Sequence, residues 1–233
     1  GIGLKLREII PDTIKIGDSN KVIEIKKGIQ NNLDLAASHM LSIDKAVSQI
    51  ESENLLISLL EKSLQPTKTN LTTHEVHRIV LIGKYLNEDN LWERGIKINI
   101  GSCYLEAFID FNAAGSAISQ IFSNAAKYCK EKSTLNIEFK GDQDYVAISF
   151  KMNSLHIPPN EVVKIVELGR RGTNTAGIKG SGIGLFAVSE MMKLCYGYLK
   201  IDNGVEKTNF DGKDYSNNVF TLYFPTKSKV RET

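Results

Sequence analysis

The chain has 233 residues, a formal net charge of +2 and 24% charged residues; that length suits one domain with an appendage, and the balance carries neither a basic field for nucleic acid nor an acidic disordered tail. Cys103, Cys129 and Cys195 are widely spaced with no C-x-x-C pair, which argues against a disulfide framework or zinc site and for a reducing, cytoplasmic setting. No run of about 18 uncharged apolar residues and no signal peptide occurs, so no membrane contact is expected in this segment, while a membrane sensor upstream of "GIGLKLREIIPDT" stays open.

In chain order, Val22, Ile29, Ala36, Ile43, Ile50, Ile57 and Leu64 recur at every seventh place, with Ile25, Leu33, Met40, Val47 and Leu60 beside them. The pattern predicts one long heptad-bearing helix. "GDSN" at 17–20 would cap its start and "QPT" at 65–67 would end it. At about 1.5 Å per residue the helix would run roughly 65 Å, too far for a small core to cover. Its simplest partner is the same helix of a second subunit, a homodimer through residues 20–64. A break at Gly28 or around "ESEN" (51–54), giving two shorter helices packed on the chain's own core, is the alternative. Asn32, His39 and Glu53 fall on the seam and suit a bundle of defined register.

Residues 1–66 therefore form a helical region, and the texture changes over 67–233. "THEVHRIVLIGKYLNEDNLWERG" (73–95) reads as a helix and "IKINI" (96–100) as a strand. "AAGSAISQIFSNAAKYC" (113–129) is a second helix, with Ala114, Ala117, Ile118, Ile121, Phe122 and Ala125 on one face. "TLNIEFKG" and "DYVAISFK" predict a hairpin across "GDQD", followed by a short helix over "PNEVVKIVEL". A glycine loop, the helix "GLFAVSEMMKLC" and the strands "GYLKID" and "NVFTLYFP" complete an α+β sandwich, a mixed sheet with helices over one face.

The loop "KGSGIGLF" (179–186) opens the last of those helices. Its bare backbone allows close approach of a ligand, and the helix N-terminus favours an anion such as phosphate. The P-loop spacing G-x-x-x-x-G-K-[ST] is absent, and no strand precedes the loop as a dinucleotide fingerprint requires.

"FSNAAKY" (122–128) resembles the N box, and "KGSGIGLF" the second glycine box, of the GHKL ATPase family, in particular the catalytic domain of sensor histidine kinases. "VVKIVELGRRG" (162–172) stands between them where that family carries its F box. The resemblance runs from about Thr69 to Pro225, and "VIEIKKGIQNNLDLAASHMLSI" resembles the second dimerisation helix of those kinases. It implies ATP and Mg²⁺ as cofactors, a response-regulator receiver domain as partner, and transfer of the γ-phosphoryl group to a histidine. Carried over by position, it implies Asn124 and Lys127 as catalytic residues, with Asn124 also the Mg²⁺ ligand. Gln120, Tyr128, Met152, Asn153, Ile157, Arg171, Lys179, Gly180, Ser181, Gly182, Gly184, Leu185 and Asn218 complete the implied ATP site.

Departures from the family pattern fall at one end of that site. In "FKMNSLHIPP", Met152 stands where the family has the Asp that accepts from the adenine amino group, and Ser154 and His156 stand at its glycines. Asn218 replaces a supporting Thr, and Gln120 replaces a further Asn of the N box. Methionine is a poor acceptor, and a lost hydrogen bond to a buried polar group costs about 1–3 kcal/mol; Asn153 or Asn218 is left as a substitute acceptor. "GIGLKLREIIP" holds no histidine, so the phosphoacceptor is unknown. His74 with Glu75 reads as a surface pair, and His39 as a seam residue. A pseudokinase-like dimer acting by protein contact is the alternative function.

Overall fold

The computed structural model describes residues 21–60, 69–178 and 180–232, and the chain divides into two units between Asn54 and Leu55. Helix α1 (Lys21–Asn31) and helix α2 (Leu33–Leu60) stand in place of one uninterrupted helix. The interruption falls at Asn32, not at Gly28 or 51–54. There the Asn32 amide reaches back only three residues to the Ile29 carbonyl at 3.2 Å, and Ala36 resumes the four-residue reach to Asn32 at 2.9 Å. A tightened turn of this kind suits asparagine, whose short amide competes with helical backbone bonding. Of the heptad residues, Leu33, Met40, Val47, Ile50 and Ile57 are exposed, whereas Ala36 and His39 are buried. The segments "GDSN" and "QPT", with Leu64, lie outside the described residues.

In the second unit, strand β1 (Leu71–Glu75) precedes helix α3 (Val76–Glu93), strands β2 (Lys97–Ile100) and β3 (Glu106–Asp110), and helix α4 (Phe111–Tyr128). Strands β4 (Thr134–Gly141) and β5 (Tyr145–Leu155) form the hairpin across Gly141 to Asp144. Helix α5 (Gly184–Leu194), strands β6 (Tyr198–Asp202), β7 (Thr208–Phe210) and β8 (Lys213–Pro225), and the short helix α6 (Lys227–Glu232) follow. The main sheet runs β2-β4-β5-β8-β6, with β7 also on β8. Only β2 and β4 are parallel; the remaining pairs are antiparallel.

Two expectations change. Leu71–Glu75 is a strand rather than the start of a helix, because it pairs antiparallel with β3 from Leu71↔Asp110 to Glu75↔Glu106. "PNEVVKIVEL" is two single 3₁₀ turns, Pro159–Glu161 and Lys164–Val166, not a helix.

Alternation on β5 puts Val146, Ile148, Phe150 and Met152 on one face, where Phe224, Leu222, Phe220 and Asn218 of β8 stand opposite them in register. This face meets α3, α4 and α5 in a continuous apolar core. Helix α4 contributes Ala114, Ala117, Ile118, Ile121, Phe122 and Ala125, each at most 1% exposed. Its start is fixed by Asp110, whose Oδ1 accepts from the Asn112 and Ala113 amides at 3.1 and 3.0 Å, a cap worth about 1 kcal/mol. Its end is held by Arg94, whose guanidinium donates to the Ala126 and Cys129 carbonyls at 2.6 and 2.8 Å. Gly83 lets α3 approach: a Cβ there would stand 2.7 Å from Ile118 Cγ2.

Burial pushes the thiols of both Cys129 and Cys195 up to about 12, so neither forms thiolate near neutral pH. Cys103 is only half-buried. Alkylation of the native chain at pH 8, read by peptide mass, is expected to label Cys103 alone, with the other two reacting only after denaturation.

Candidate functional site

The periodicity that buries one stripe of α4 leaves Gln120, Asn124, Lys127 and Tyr128 on its remaining edge. Lys127 is exposed and the other three are half-buried. The glycine loop comes to this edge. A Cβ on Gly184 would stand 3.3 Å from Asn124 Oδ1 and 3.4 Å from Gln120 Oε1, so two amide oxygens converge where the first residue of α5 has no side chain. Asn124 Nδ2 is buried with no hydrogen-bond partner among the described residues, an arrangement that costs about 1–3 kcal/mol unless a ligand or water completes it. The N-cap of α5, Ile183, supplies no side-chain cap, which leaves the first-turn amides of that helix without one.

Gly182 shapes the approach. Its φ is +74°, and a Cβ would stand 2.7 Å from the Arg170 carbonyl oxygen, so both conformation and space require glycine. At Gly180 a Cβ would lie 3.2 Å from Tyr128 Oη and 3.8 Å from Arg171 Nε; these three residues therefore meet at the loop's start. Ser181 is exposed there, and Leu185 packs its side chain against the core. Lys179 lies outside the described residues. Arg171 does not point its guanidinium only at open space: Nη2 donates to the Thr175 carbonyl at 3.0 Å and to the Ile178 carbonyl. Glu161 accepts from the Thr173 amide at 3.0 Å, and Asn174 donates to the His156 carbonyl at 2.8 Å. The segment before the glycines is thus held by side chains at three points.

A second cluster of polar side chains lies on the sheet, around the residues that depart from the family pattern. Past Phe150 and Phe220, the helix-facing side of the sheet continues as Met152 opposite Asn218, then Ser154 opposite Ser216, and then His156; all five are buried. Asn218 Nδ2 donates to Ser154 Oγ at 2.9 Å and the Leu155 carbonyl at 3.1 Å. Its Oδ1 accepts from the Gly204 amide at 3.0 Å and Ser216 Oγ at 3.1 Å. An asparagine amide has two donors and two acceptor positions, and here every one is used. The Ser216 hydroxyl has one proton, which goes to Asn218, so His156 Nδ1 is the donor in its 3.1 Å contact with Ser216 Oγ.

Asn218 is therefore no substitute acceptor. Asn153 alternates to the opposite face of β5, where Nδ2 donates to Asn217 Oδ1 at 2.9 Å and its own Oδ1 is buried with no hydrogen-bond partner among the described residues. The structure brings Gln120, Asn124, Tyr128, Arg171, Gly180 and Gly184 together, sets Met152 and Asn218 side by side, and leaves Asn153 apart. Ile157 is half-buried against the core, and its carbonyl accepts from Asn203 at 3.1 Å.

A family model of histidine kinase-, DNA gyrase B- and HSP90-like ATPases matches residues 110–228, just over half of the chain. The chain belongs to that family. Among solved structures, this ATPase domain is similar in fold to the mycobacterial sensor histidine kinase MprB, at TM-score 0.56 and 17% identity over 66% of this chain and 97% of that one. The Acinetobacter baumannii histidine kinase AdeS matches at TM-score 0.50 and 14% identity over 97% of this chain and 93% of that one. Full-length ShkA, solved in complex with AMPPNP, matches at TM-score 0.55 and 15% identity, over 96% of this chain and 42% of that one. The search of curated proteins returned no match.

Within the ATPase domain, the hold of Arg94 on the end of α4 and the bonding that joins Asn218, Ser216 and His156 were not legible in the sequence. A single arginine in "WERG" carries no local signal, and the network joins segments distant in sequence. Burial, followed by the Lys207 ammonium, holds the His156 imidazole below its ordinary 6.5. The fold thus favours neutral His156, and the stability this contributes is complete above pH 6.5 and is lost as pH falls below it towards the folded value. The thermal midpoint is expected to drop between pH 7.5 and 5.5, and to drop less in His156→Gln.

Proposed function

We propose that this chain is the ATP-binding catalytic region of a two-component sensor histidine kinase. In this reading it transfers the γ-phosphoryl group to a histidine for relay to an aspartate on a response-regulator receiver domain. The observation that supports it most is the convergence of Asn124 Oδ1 and Gln120 Oε1 on Gly184 at an uncapped helix N-terminus. Two amide oxygens, an unpartnered Nδ2 and free first-turn amides fit a magnesium-bound triphosphate, since Mg²⁺ takes hard oxygen ligands and shares its shell with phosphates and water. Bound Mg²⁺, held by Asn124 with Gln120 beside it, would supply neutralisation of phosphate charge.

The chain's own residues do the rest by position and charge. Lys127 meets phosphate oxygens from the exposed edge of α4, and Tyr128 flanks the nucleotide. Arg171 exchanges loop carbonyls for phosphate when the segment after it rearranges, the behaviour of a lid. Lys179 and Ser181 add a cation and a hydroxyl at the glycine turn, and Ile157 and Leu185 supply apolar walls. The phosphoacceptor is unidentified: His39 is buried on α2, and His74 sits on β1 bonded to Thr72 Oγ1 at 2.7 Å. The setting is the cytoplasm, where the receiver partner and ATP meet. No helix among the described residues is long and apolar enough to cross a membrane.

Dimerisation through residues 20–64 belongs to the same reading, supported by the exposed Leu33, Met40, Val47, Ile50 and Ile57 on α2. Light scattering is expected to give twice the chain mass, and Met40→Glu with Val47→Glu to give a monomer; a monomeric parent chain overturns it.

The side chains at Met152, Ser154, His156 and Asn218 favour a second reading, a pseudokinase-like signalling module with impaired nucleotide binding. Calorimetric titration separates the two. Magnesium-dependent ATP binding is expected, weakened roughly 10-fold or more in Asn124→Ala, with no fall in thermal midpoint because the substitution also removes the unpartnered Nδ2. Absence of binding at millimolar nucleotide assigns the chain to the second reading.

A further inference from the structure

We infer that the unpaired edge of β6, together with a cleft at its start, is a docking site for an extended segment of another protein, which joins the sheet as a further strand. This inference stands apart from the nucleotide-binding reading. The main sheet ends at β6, which pairs with β8 and, among the described residues, with no other strand. Every second residue of such a strand turns its N–H and C=O groups away from the sheet, and an extended peptide is the ligand whose backbone matches that row. Leu199 and Ile201 pack on the core, so the edge is held in place while Tyr198, Lys200 and Asp202 are exposed.

A cleft of about 310 Å³ opens at the start of β6, between the end of α5, the first residue of β5 and α6. Its size is near the lower limit for a small-molecule site and suits one or two side chains of a peptide. Tyr145, Tyr196, Pro225 and Val230 line it, with Lys193 and Lys229 as its charged groups. Tyr145 stands edge-on to Tyr198 at 5.6 Å, and Tyr198 stacks on Tyr223 at 4.5 Å. Four of the chain's eight tyrosines thus gather at this corner, and tyrosine is a side chain that protein interfaces favour.

Tyr196 carries the strongest signal. Helix α5 closes with the Gly197 amide bonded to the Met192 carbonyl at 2.8 Å and the Tyr196 amide to the Lys193 carbonyl at 3.0 Å, a motif whose left-handed position glycine ordinarily fills. Here tyrosine fills it at φ +54°, and at 55% exposed it gains no place in the core. The conformation persists because the next residue is fixed: a Cβ on Gly197 would stand 2.2 Å from the Tyr223 carbonyl oxygen. Backbone strain with no return in the free chain points to a side chain used in binding.

The charges narrow the occupant. Among the described residues no carboxylate lines the cleft. Lys193, Lys200 and Lys229 pair with Glu190, Asp202 and Asp144 at 2.6, 2.8 and 3.5 Å, surface pairs that contribute little and exchange readily. A second copy fits badly, because antiparallel pairing of β6 with itself over its full length sets Lys200 against Lys200. The docked strand is one with an apolar side chain for the cleft and an acidic one for the lysines, an even number of residues apart so that both lie on one face.

The test is selection of random linear peptides displayed on phage against the whole chain, followed by amide hydrogen exchange of the chain with and without an enriched peptide. The selected peptides are expected to share the apolar-and-acidic pattern and to slow exchange in β6 but not in β2, the opposite edge of the sheet. Methylation of alternate backbone nitrogens of the peptide is expected to abolish binding. Tyr196→Gly is expected to weaken binding roughly 10-fold or more while the thermal midpoint stays equal to or above the parent's, since glycine relieves the left-handed strain. Lys193→Glu with Lys229→Glu is expected to weaken binding as well. No enrichment over a chain-free control, protection away from β6, or unchanged affinity in Tyr196→Gly overturns the inference, whatever the nucleotide titration gives.

Discussion

Everything in the second unit depends on how α4 is buried. Ala114, Ala117, Ile118, Ile121, Phe122 and Ala125 lie against the sheet and the neighbouring helices with almost no exposure, and at 3.6 residues per turn that leaves a single edge for polar residues. Gln120, Asn124, Lys127 and Tyr128 occupy it. The rotation of this helix is therefore set by the core and not by any ligand. Asp110 fixes where it begins and Arg94 holds where it ends. A rotational error of one residue would turn Asn124 into the apolar layer and Ala125 towards the glycine loop. Core packing and site geometry are here one constraint.

That coupling explains which parts were legible in the sequence. The face of α4, the β4–β5 hairpin, α5 and the last long strand all announce themselves by local periodicity, and the structure has them. Strand β1 did not, because "LTTHE" acquires its extended conformation from β3, with Leu71 paired to Asp110. "VVKIVEL" has the composition of a helix but is ended by Gly169 at φ +73° and forms only short turns. The helix interruption lies at Asn32 and not at the glycine four residues earlier, where propensity alone would have placed it. Within the site, the residues that share α4 or the glycine loop could be grouped by spacing. Asn218 was visible as an unusual residue, but the fact that its amide is fully engaged depends on Gly204, Ser216, Ser154 and Leu155, which only the fold assembles.

The two polar clusters thus obey different physical rules. Where α4 meets the glycine loop, Asn124 Nδ2 is left unmatched inside the protein, a local deficit that a bound ligand or water offsets. Around Asn218 every donor and acceptor position of the amide is matched within the protein, and a network of this kind rigidifies its surroundings. Neutral His156 belongs to that rigid part, and its protonation would set a charge in a buried place within the field of the Lys207 ammonium.

The place of β8 in the sheet bears on how the domain is made. Residues 213–225 form the strand that lies between β5 and β6 and also carries β7. During synthesis β4, β5, α4 and α5 all leave the ribosome before it, and until it arrives β5 presents an unpaired edge and the apolar row Val146, Ile148 and Phe150 lacks its cross-strand partners. Such an edge is a template for wrong pairing. The domain therefore completes its sheet late and from the middle.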